Sequence, residues 1–431
     1  MKNDLYDIKQ NLSKTDLFFL KNIYLLRCLT IKQAYNSFYK DSISNISKFV
    51  DTKLNKLIKE NLIEEVLFNR DYIALFLTKK GVDLVKEYYN IPIEIFDKKT
   101  KKITKGYYTA AQLKMSPRLI PHQIHLNQFI LDFQDIYNYK KMKFNYEYFD
   151  EKYVSKYFSI RPDGLINFLG VDLFLEMDMS SESKVQLLDK WKHYRTFLTS
   201  NNYLNNPKKI IVFFIIENTN NLDNRKKIVK STATQILLDL FNDNFEIVIG
   251  SKNELLLKLF NDIIPSIQQT NSKIEELKSI LQINHKLNVS NAYPLKHSLN
   301  NSDYEFYVRK IDKENNIVVE NGVLQEYFLD YFIPDSLSVI NRIAYNSQNV
   351  NFFKYHCKRD FKYIVVVEDI KKIYEELYLY DLTTEKNVYY TTIDRLKNFK
   401  FYEALIQFDS LGRAYSFINP QLINRNYLNI L

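Results

Sequence analysis

The chain has 431 residues, 46% hydrophobic and 26% charged, enough apolar material to bury more than one core and too much for a disordered chain. Sixty Lys and Arg against 51 Asp and Glu leave a formal charge of +9, which favours an anionic partner, nucleic acid first. Cys28 and Cys357 are the only cysteines, which excludes a disulfide framework or a Cys-rich zinc site and fits a reducing cytoplasm. The polar start MKNDLYDIKQNLSKTD lacks an apolar signal core, and no run reaches the roughly 18 apolar residues of a membrane span, so no membrane partner is expected. Seven glycines, none in a Walker-type or dinucleotide-type loop, exclude those phosphate cradles.

The first predicted element is an amphipathic helix over Thr15 to Cys28, with Leu17, Phe18, Leu20, Ile23, Tyr24 and Leu25 near helical spacing. Thr30 is placed to cap a second helix, Ile31 to Tyr39, because its hydroxyl can accept from orphan amides of the first turn. A third runs from Ser44 or Asn45 to Asn61, burying Ile46, Phe49, Val50, Leu54, Leu57 and Ile58. Strands follow at Asn61 to Val66 and Tyr72 to Leu77 around the polar turn Asn69-Arg70-Asp71. Three helices and a hairpin, with the phrases LTIKQAY, KLIKENLIEE and YIALFLTKKGVDLV, resemble the winged helix-turn-helix family.

That resemblance makes the third helix the groove reader for double-stranded DNA. Its outer face carries Ser47, Lys48, Asp51, Thr52, Asn55 and Lys59, a mixture suited to phosphates and base edges, and Arg70 in the hairpin turn adds a phosphate contact. Met1 to Lys114 holds 21 Lys and Arg against 13 Asp and Glu, so nearly all of the net charge coincides with this reader. A solvated helix and a protein-docking winged module are the alternative readings of the same residues. Residues 91–116, lysine-rich and ending at Pro117, read as a basic connector after a domain of residues 1–90.

From His122 the pattern becomes helix (to Tyr137), strands at Lys143 to Phe149, Ser159 to Asn167 and Val171 to Asp178, then helix (Glu182 to Leu198), strand (Lys209 to Ile216), helix (Asn224 to Phe241) and strand (Phe245 to Ile249). This predicts an α/β sandwich over 117–262, its apolar strands covered on both faces. Asp163 in Arg161-Pro162-Asp163-Gly164 precedes Glu176 by thirteen residues, and strand alternation puts Glu176 and Asp178 on one face. Such carboxylates can converge on Mg²⁺ or Mn²⁺, which take oxygen ligands and keep several waters. The order resembles the restriction-endonuclease-like PD-(D/E)XK fold. There the two acidic positions hold metal and a lysine two residues later orients or activates water. Here that position is Asp178, so Lys184 or Lys190 on the next helix would have to present the ammonium. Solvated strand-end carboxylates are the plain alternative. His122 and His125, spaced HxxH, do not make the zinc-protease pair, and Tyr194 reads as a packed helix tyrosine.

Taken in order, the N-terminal helices, PHQIHLN with His122 and Asn127, RPDG, LEMD, KWKHY with Lys190 and Tyr194, and KKIIVFFIIEN resemble the replication-relaxation family of Gram-positive plasmids and integrative elements over about residues 12 to 260. The resemblance implies a role in replication or conjugative processing of mobile DNA, with or without metal-dependent nicking by Asp163, Glu176, Asp178 and Lys190. A transcriptional regulator and an adaptor for replication or conjugation proteins remain the rivals.

Residues 263–303 are expected as a helix, Ser266 to Leu287, serving as a spacer or homodimer contact, followed by a polar linker. Residues 304–431 read as a further α/β unit. Its strands are expected at Tyr304 to Ile311, Ile317 to Glu320, Tyr363 to Glu368, near Leu379 and Val388, and at Ala404 to Phe408; its helices at Ser336 to Tyr345 and Ile370 to Leu377. Pro334-Asp335 echoes Pro162-Asp163 only by chance, as Asp335 is expected to start a helix.

Overall fold

The computed structural model describes residues 10–68, 72–97, 100, 102–154, 157, 159–217, 219–241, 244–291, 305–320, 323–348, 362–380, 382, 387–409, 413–417 and 425–427. The chain is a mixed α/β protein in two compact units, residues 1–179 and 180–431.

In the first unit Ser13 and Asp16 cap the helix Lys14–Leu26 reciprocally. Asp16 is buried, and its other contacts tie helices together: Tyr39 donates its hydroxyl to the carboxylate, and Lys53 pairs with it at 3.3 Å. Burial alone would raise the Asp16 carboxyl, but the Ser13, Tyr39 and Lys53 contacts outweigh it and hold the group below its usual range. After β1 (Leu29–Thr30), Thr30 and Gln33 form the expected cap of helix Ile31–Ala34, which continues as a π-type stretch, Tyr35–Tyr39. Asn45 caps the third helix, built of Ile46–Phe49, a π-type stretch Val50–Leu54, and Asn55–Lys59. Phe19 packs edge to face against Tyr39 and Phe49 beneath it, and those two rings lie tilted at 34° to each other. Ile46, expected in the buried stripe, is exposed because it sits in the first turn, outside that aromatic contact.

Strands β2 (Ile63–Phe68) and β3 (Tyr72–Leu77) make an antiparallel sheet in the order β1-β3-β2. Thr78 then caps the helix Lys79–Tyr89. Residues 91–116 are not a bare connector: β4 (Ile93–Asp97) and β5 (Lys102–Gly106) pair as a hairpin, and helix Ala110–Leu113 follows. Tyr108 and Leu113 are buried, and the Tyr108 amide donates to the Tyr24 hydroxyl at 2.9 Å. Helix Ile120–Tyr139 leads to the antiparallel meander β6 (Tyr146–Asp150), β7 (Gly164–Phe168) and β8 (Val171–Asp178). Every residue of β8 is buried, as a strand covered on both faces requires.

The second unit opens with helix Lys184–Leu198, capped by Ser183 and Gln186. Strands β9 (Lys209–Ile216) and β10 (Phe245–Gly250) are parallel, joined through helix Leu222–Leu237. Trp191 is fully buried and donates its indole N–H to Thr232 at 3.1 Å, and Tyr194, expected as a partly buried helix tyrosine, is buried in the core. Helices Lys252–Lys258 and Ser272–Ile283 follow, then β11 (Asn288–Asn291) and β12 (Phe306–Arg309). A small hairpin, β13 (Val319–Glu320) and β14 (Val323–Leu324), precedes β15 (Glu326–Tyr331).

Beyond it run β16 (Lys362–Val366), β17 (Val388–Thr391), β18 (Ile406–Phe408), β19 (Ala414–Phe417) and β20 (Arg425–Tyr427). With β11, β12 and β15 they form an eight-stranded mixed sheet, parallel only at β15-β16-β17, where helices Ser338–Gln348 and Ile370–Leu379 make the crossovers.

Alternation along β16 divides the core. Tyr363 and Val365 face Ile340, Ile343, Ile373 and Leu377, while Ile364 and Val366 face Leu277, Leu281 and Leu396. The apolar stripe of helix Ser272–Ile283 is therefore occupied inside this unit instead of forming a spacer or dimer face. Leu379 ends a helix, because the helical period of Ile370–Leu377 carries on through it. Asp335 does not start a helix: it has φ +64°, and the helix begins at Ser338.

Candidate nucleic-acid interface and acidic strand

Ser47, Lys48, Thr52, Asn55 and Lys59 all lie exposed on the third helix, together with Asp51 and Lys56. Phe49, Leu54 and Leu57 hold the opposite face in the core. Thr52 donates its hydroxyl to the Lys48 carbonyl at 2.6 Å. Lys53 turns in to Asp16, and the Lys56 ammonium donates to the Asn11 carbonyl at 2.9 Å. Arg70 lies outside the described residues.

Glu176 and Asp178 stand on β8, and Asp163 lies at the bend just before its antiparallel neighbour β7. The Asp163 amide donates to the Leu175 carbonyl at 2.9 Å, one residue out of the β7–β8 register, at the bend that precedes β7. One Asp163 oxygen accepts from the Met177 amide at 2.7 Å and lies 3.3 Å from His122 Nε2. His122 Nε2 is also 3.0 Å from the Met177 carbonyl. Glu176 and Asp178 are 2% and 1% exposed, against 22% for the Asp163 side chain, so only Asp163 offers solvent a substantial surface. Among the described residues, no three His, Cys, Asp or Glu side chains are gathered as a metal-binding group.

Lys190 belongs to the second unit, where it pairs with Glu182 at 3.1 Å and lies over the Phe214 ring. His122 is the site neighbour that sequence reasoning left unassigned. Its signal was position: it falls in the first turn of the helix inside PHQIHLN, but nothing in the spacing showed that this turn abuts β8.

A second polar group of the first unit is also new. Tyr108 donates its hydroxyl to Asp150, Arg27 pairs with Glu151 at 2.7 Å, and the other Asp150 oxygen and the Tyr148 hydroxyl are buried without a hydrogen-bond partner among the described residues. Burial raises the Asp150 carboxyl despite the Tyr108 and Arg27 contacts. In the second unit, Lys226, Lys230 and Lys258 converge on Asp335 at 3.2, 2.8 and 2.7 Å.

A mixed α/β protein with a polar, lysine-bearing helix on its surface and carboxylates along a buried strand is the class so defined. No helix among the described residues is long and apolar enough to cross a membrane. Residues 20–212 match the model of the family described as Replication-relaxation. The match suggests a part in the replication or relaxation of a plasmid or other mobile element. No curated protein and no solved structure matches the chain.

Proposed function

We propose that the protein binds duplex DNA of a plasmid or other mobile element, in replication or conjugative processing, through a winged helix at its N-terminus. The observation that carries this reading is the third helix: all seven exposed positions from Ser47 to Lys59 are polar or charged, three- and four-residue spacing keeps them together, and the core beneath is closed. Three helices leading into the β1-β3-β2 sheet give the arrangement in which such a helix enters the major groove. Lys48 and Lys59 supply phosphate affinity, and Asn55 reads a base edge.

The meander β6–β8 with the following helix Lys184–Leu198 supports a restriction-endonuclease-like region, used as a second DNA-contacting surface. The donor set suits Mg²⁺ or Mn²⁺ in kind. One or two of Asp163, Glu176 and Asp178 would hold the ion, with water and phosphate oxygens completing its shell. An ion there would supply Lewis-acid stabilisation and a nucleophilic water for strand nicking. The chain's own contribution is to fix Asp163 through the Met177 amide and to hold His122 beside it. One observation favours the rival reading of a binding scaffold, regulator or adaptor without cleavage: the residue at the lysine position of the resembled motif is Asp178, and it is buried.

The test is full-length protein with supercoiled plasmid carrying its own upstream DNA, with and without Mg²⁺ or Mn²⁺, scored for mobility shift and nicked circle. A shift without metal is expected. Lys48→Ala should weaken binding to all sequences and lower the salt slope by about one, whereas Asn55→Ala should cost about 1–3 kcal/mol on the cognate site alone. No shift on any DNA would refute the reading. Nicking that Asp163→Asn abolishes would establish the nuclease form, and a shift without nicking the scaffold form.

A further inference from the structure

The third helix carries one residue that does not fit a phosphate-tracking surface. Asp51 is exposed in the middle of the face formed by Lys48, Thr52, Asn55, Lys56 and Lys59, and among the described residues no ion pair reaches it. On its own helix Lys53 turns to Asp16 and Lys56 to the Asn11 carbonyl, while Lys48, three residues back on the same face, makes no ion pair with it among the described residues.

Backbone winding keeps it on that face. In an α-helix each residue turns about 100°, so a four-residue step overshoots a full turn by about 40°, and three steps carry a row about a third of the way round the axis. The row Ser47, Asp51, Asn55, Lys59 takes three such steps. Between them lies the π-type stretch Val50–Leu54, where the Asn55 amide donates to the Val50 carbonyl, five residues back. A wider turn takes up more residues and removes part of the overshoot, and π-type insertions of this kind concentrate at functional sites. Asp51 therefore lines up with Asn55 instead of rotating toward the flank where phosphates lie.

A carboxylate facing the major groove meets acceptors on guanine (N7, O6), on thymine (O4) and on adenine (N7 beside its amino group). Cytosine presents only its N4 amino donor. A carboxylate is thus repelled at guanine and thymine, meets a donor beside an acceptor at adenine, and meets a donor alone only at cytosine. We propose that Asp51 is the specificity-determining residue of the interface, accepting a hydrogen bond from a cytosine amino group while Asn55, one turn on, reads a neighbouring base. This rests on the DNA-binding reading above.

The experiment uses full-length wild-type, Asp51→Ala and Asp51→Asn proteins, each enriched against a random duplex library and then titrated on the wild-type consensus and on copies with single pairs replaced. The expected result is a wild-type consensus with one C·G pair whose preference Asp51→Ala alone erases, at a loss of roughly 5- to 150-fold on the consensus and none on DNA already lacking that pair. Asp51→Asn should move the preference at that position toward adenine, because an amide can pair with both N6 and N7. Asp51 is exposed and unpaired, so the variants should melt with the wild type, and matching melting curves exclude a folding defect as the cause. An unchanged preference at every position in Asp51→Ala would overturn the proposal, as would tighter binding to all sequences, which would make Asp51 a simple repelling charge. Wild-type protein that shifts DNA without enriching any consensus would refute the role of Asp51 and leave DNA binding standing; protein that shifts no DNA refutes both.

Discussion

Asp335→Asn isolates the charge of one buried carboxylate with little else changed. Asp335 has φ +64°, a left-handed conformation that asparagine tolerates as well as aspartate does, so the backbone contributes little to the difference. Three ammonium groups reach the carboxylate at 2.7, 2.8 and 3.2 Å, and the Lys226, Lys230, Lys258 and Asp335 side chains are 9%, 6%, 13% and 15% exposed. Removing one partner of such a buried group costs about 3–5 kcal/mol, because the remaining charges stay desolvated. The lower end applies here. The asparagine carbonyl still accepts one hydrogen bond, and Lys258, whose pKa burial already lowers, can give up its proton. About 3 kcal/mol in a unit of this size corresponds to a melting point lower by about 6–12 °C. Scanning calorimetry of the full chain at pH 7 measures it on the transition of the second unit.

The sign of the pH dependence follows from the same contacts. Burial would raise the Asp335 carboxyl, but Lys230, Lys258 and Lys226 outweigh it and hold the group well below its ordinary 3.8. Its contribution is therefore complete above about pH 4 and is lost as pH falls toward the folded-state value. The wild type and variant should converge in acid. A melting point within about 1 °C of wild type at pH 7, or a gap that stays constant down to pH 3, would refute the reasoning.

Gly81→Ala should destabilise the first unit by about 1–3 kcal/mol in a denaturant titration, even though alanine is the better helix former. A Cβ at that position would lie 2.1 Å from the Leu62 carbonyl oxygen, which is backbone and cannot swing away. Burial pushes the Cys28 thiol up to about 12, so peptide mapping after iodoacetamide treatment at pH 8 should find Cys28 unmodified in folded protein and modified once denaturant is added. Residues 1–90 alone should show weaker near-ultraviolet dichroism and earlier unfolding than residues 1–179, because cutting there removes the Tyr108 and Asn127 partners of Tyr24, Leu26 and Cys28.

What could be read in the amino-acid sequence was whatever a short-range period or cap encodes. The Thr30 cap, β8, β9 and the exposed face Ser47 to Lys59 fall where periodicity puts them, since each depends on neighbours a few residues away. The β4–β5 hairpin was missed because Lys98, Lys99, Lys101 and Lys102 disguise two brief alternating runs as a charged connector. β7 is shorter than the strand expected over Ser159 to Asn167: the ladder begins at Gly164, where a Cβ would meet the Tyr148 ring at 3.0 Å. Contacts set by tertiary packing, such as His122 beside Asp163 or three lysines around Asp335, leave no trace in spacing. Their partners are 41 to 109 residues apart.

The same long-range contacts bear on how DNA binding would couple to the acidic strand. Gln33, at the start of the second helix, donates to the Ile124 carbonyl at 2.9 Å, and Asn127, fully buried, donates to the carbonyls of Leu26 and Cys28. Both partners lie on helix Ile120–Tyr139, which also carries His122, and His122 reaches Asp163 and the Met177 carbonyl. Arg27, at φ +70°, reaches Glu151 just beyond β6. A left-handed non-glycine residue persists only where its surroundings over-determine it, and here the constraint is this junction. The helices that would read DNA and the strand that carries Glu176 and Asp178 therefore belong to one packed body, joined by buried hydrogen bonds instead of a flexible linker. DNA seated on the third helix would meet Asp163 at one fixed distance and orientation, set by Gln33, Asn127 and Arg27. If the acidic strand acts on that DNA, it acts at a constant offset from the sequence that the helix reads.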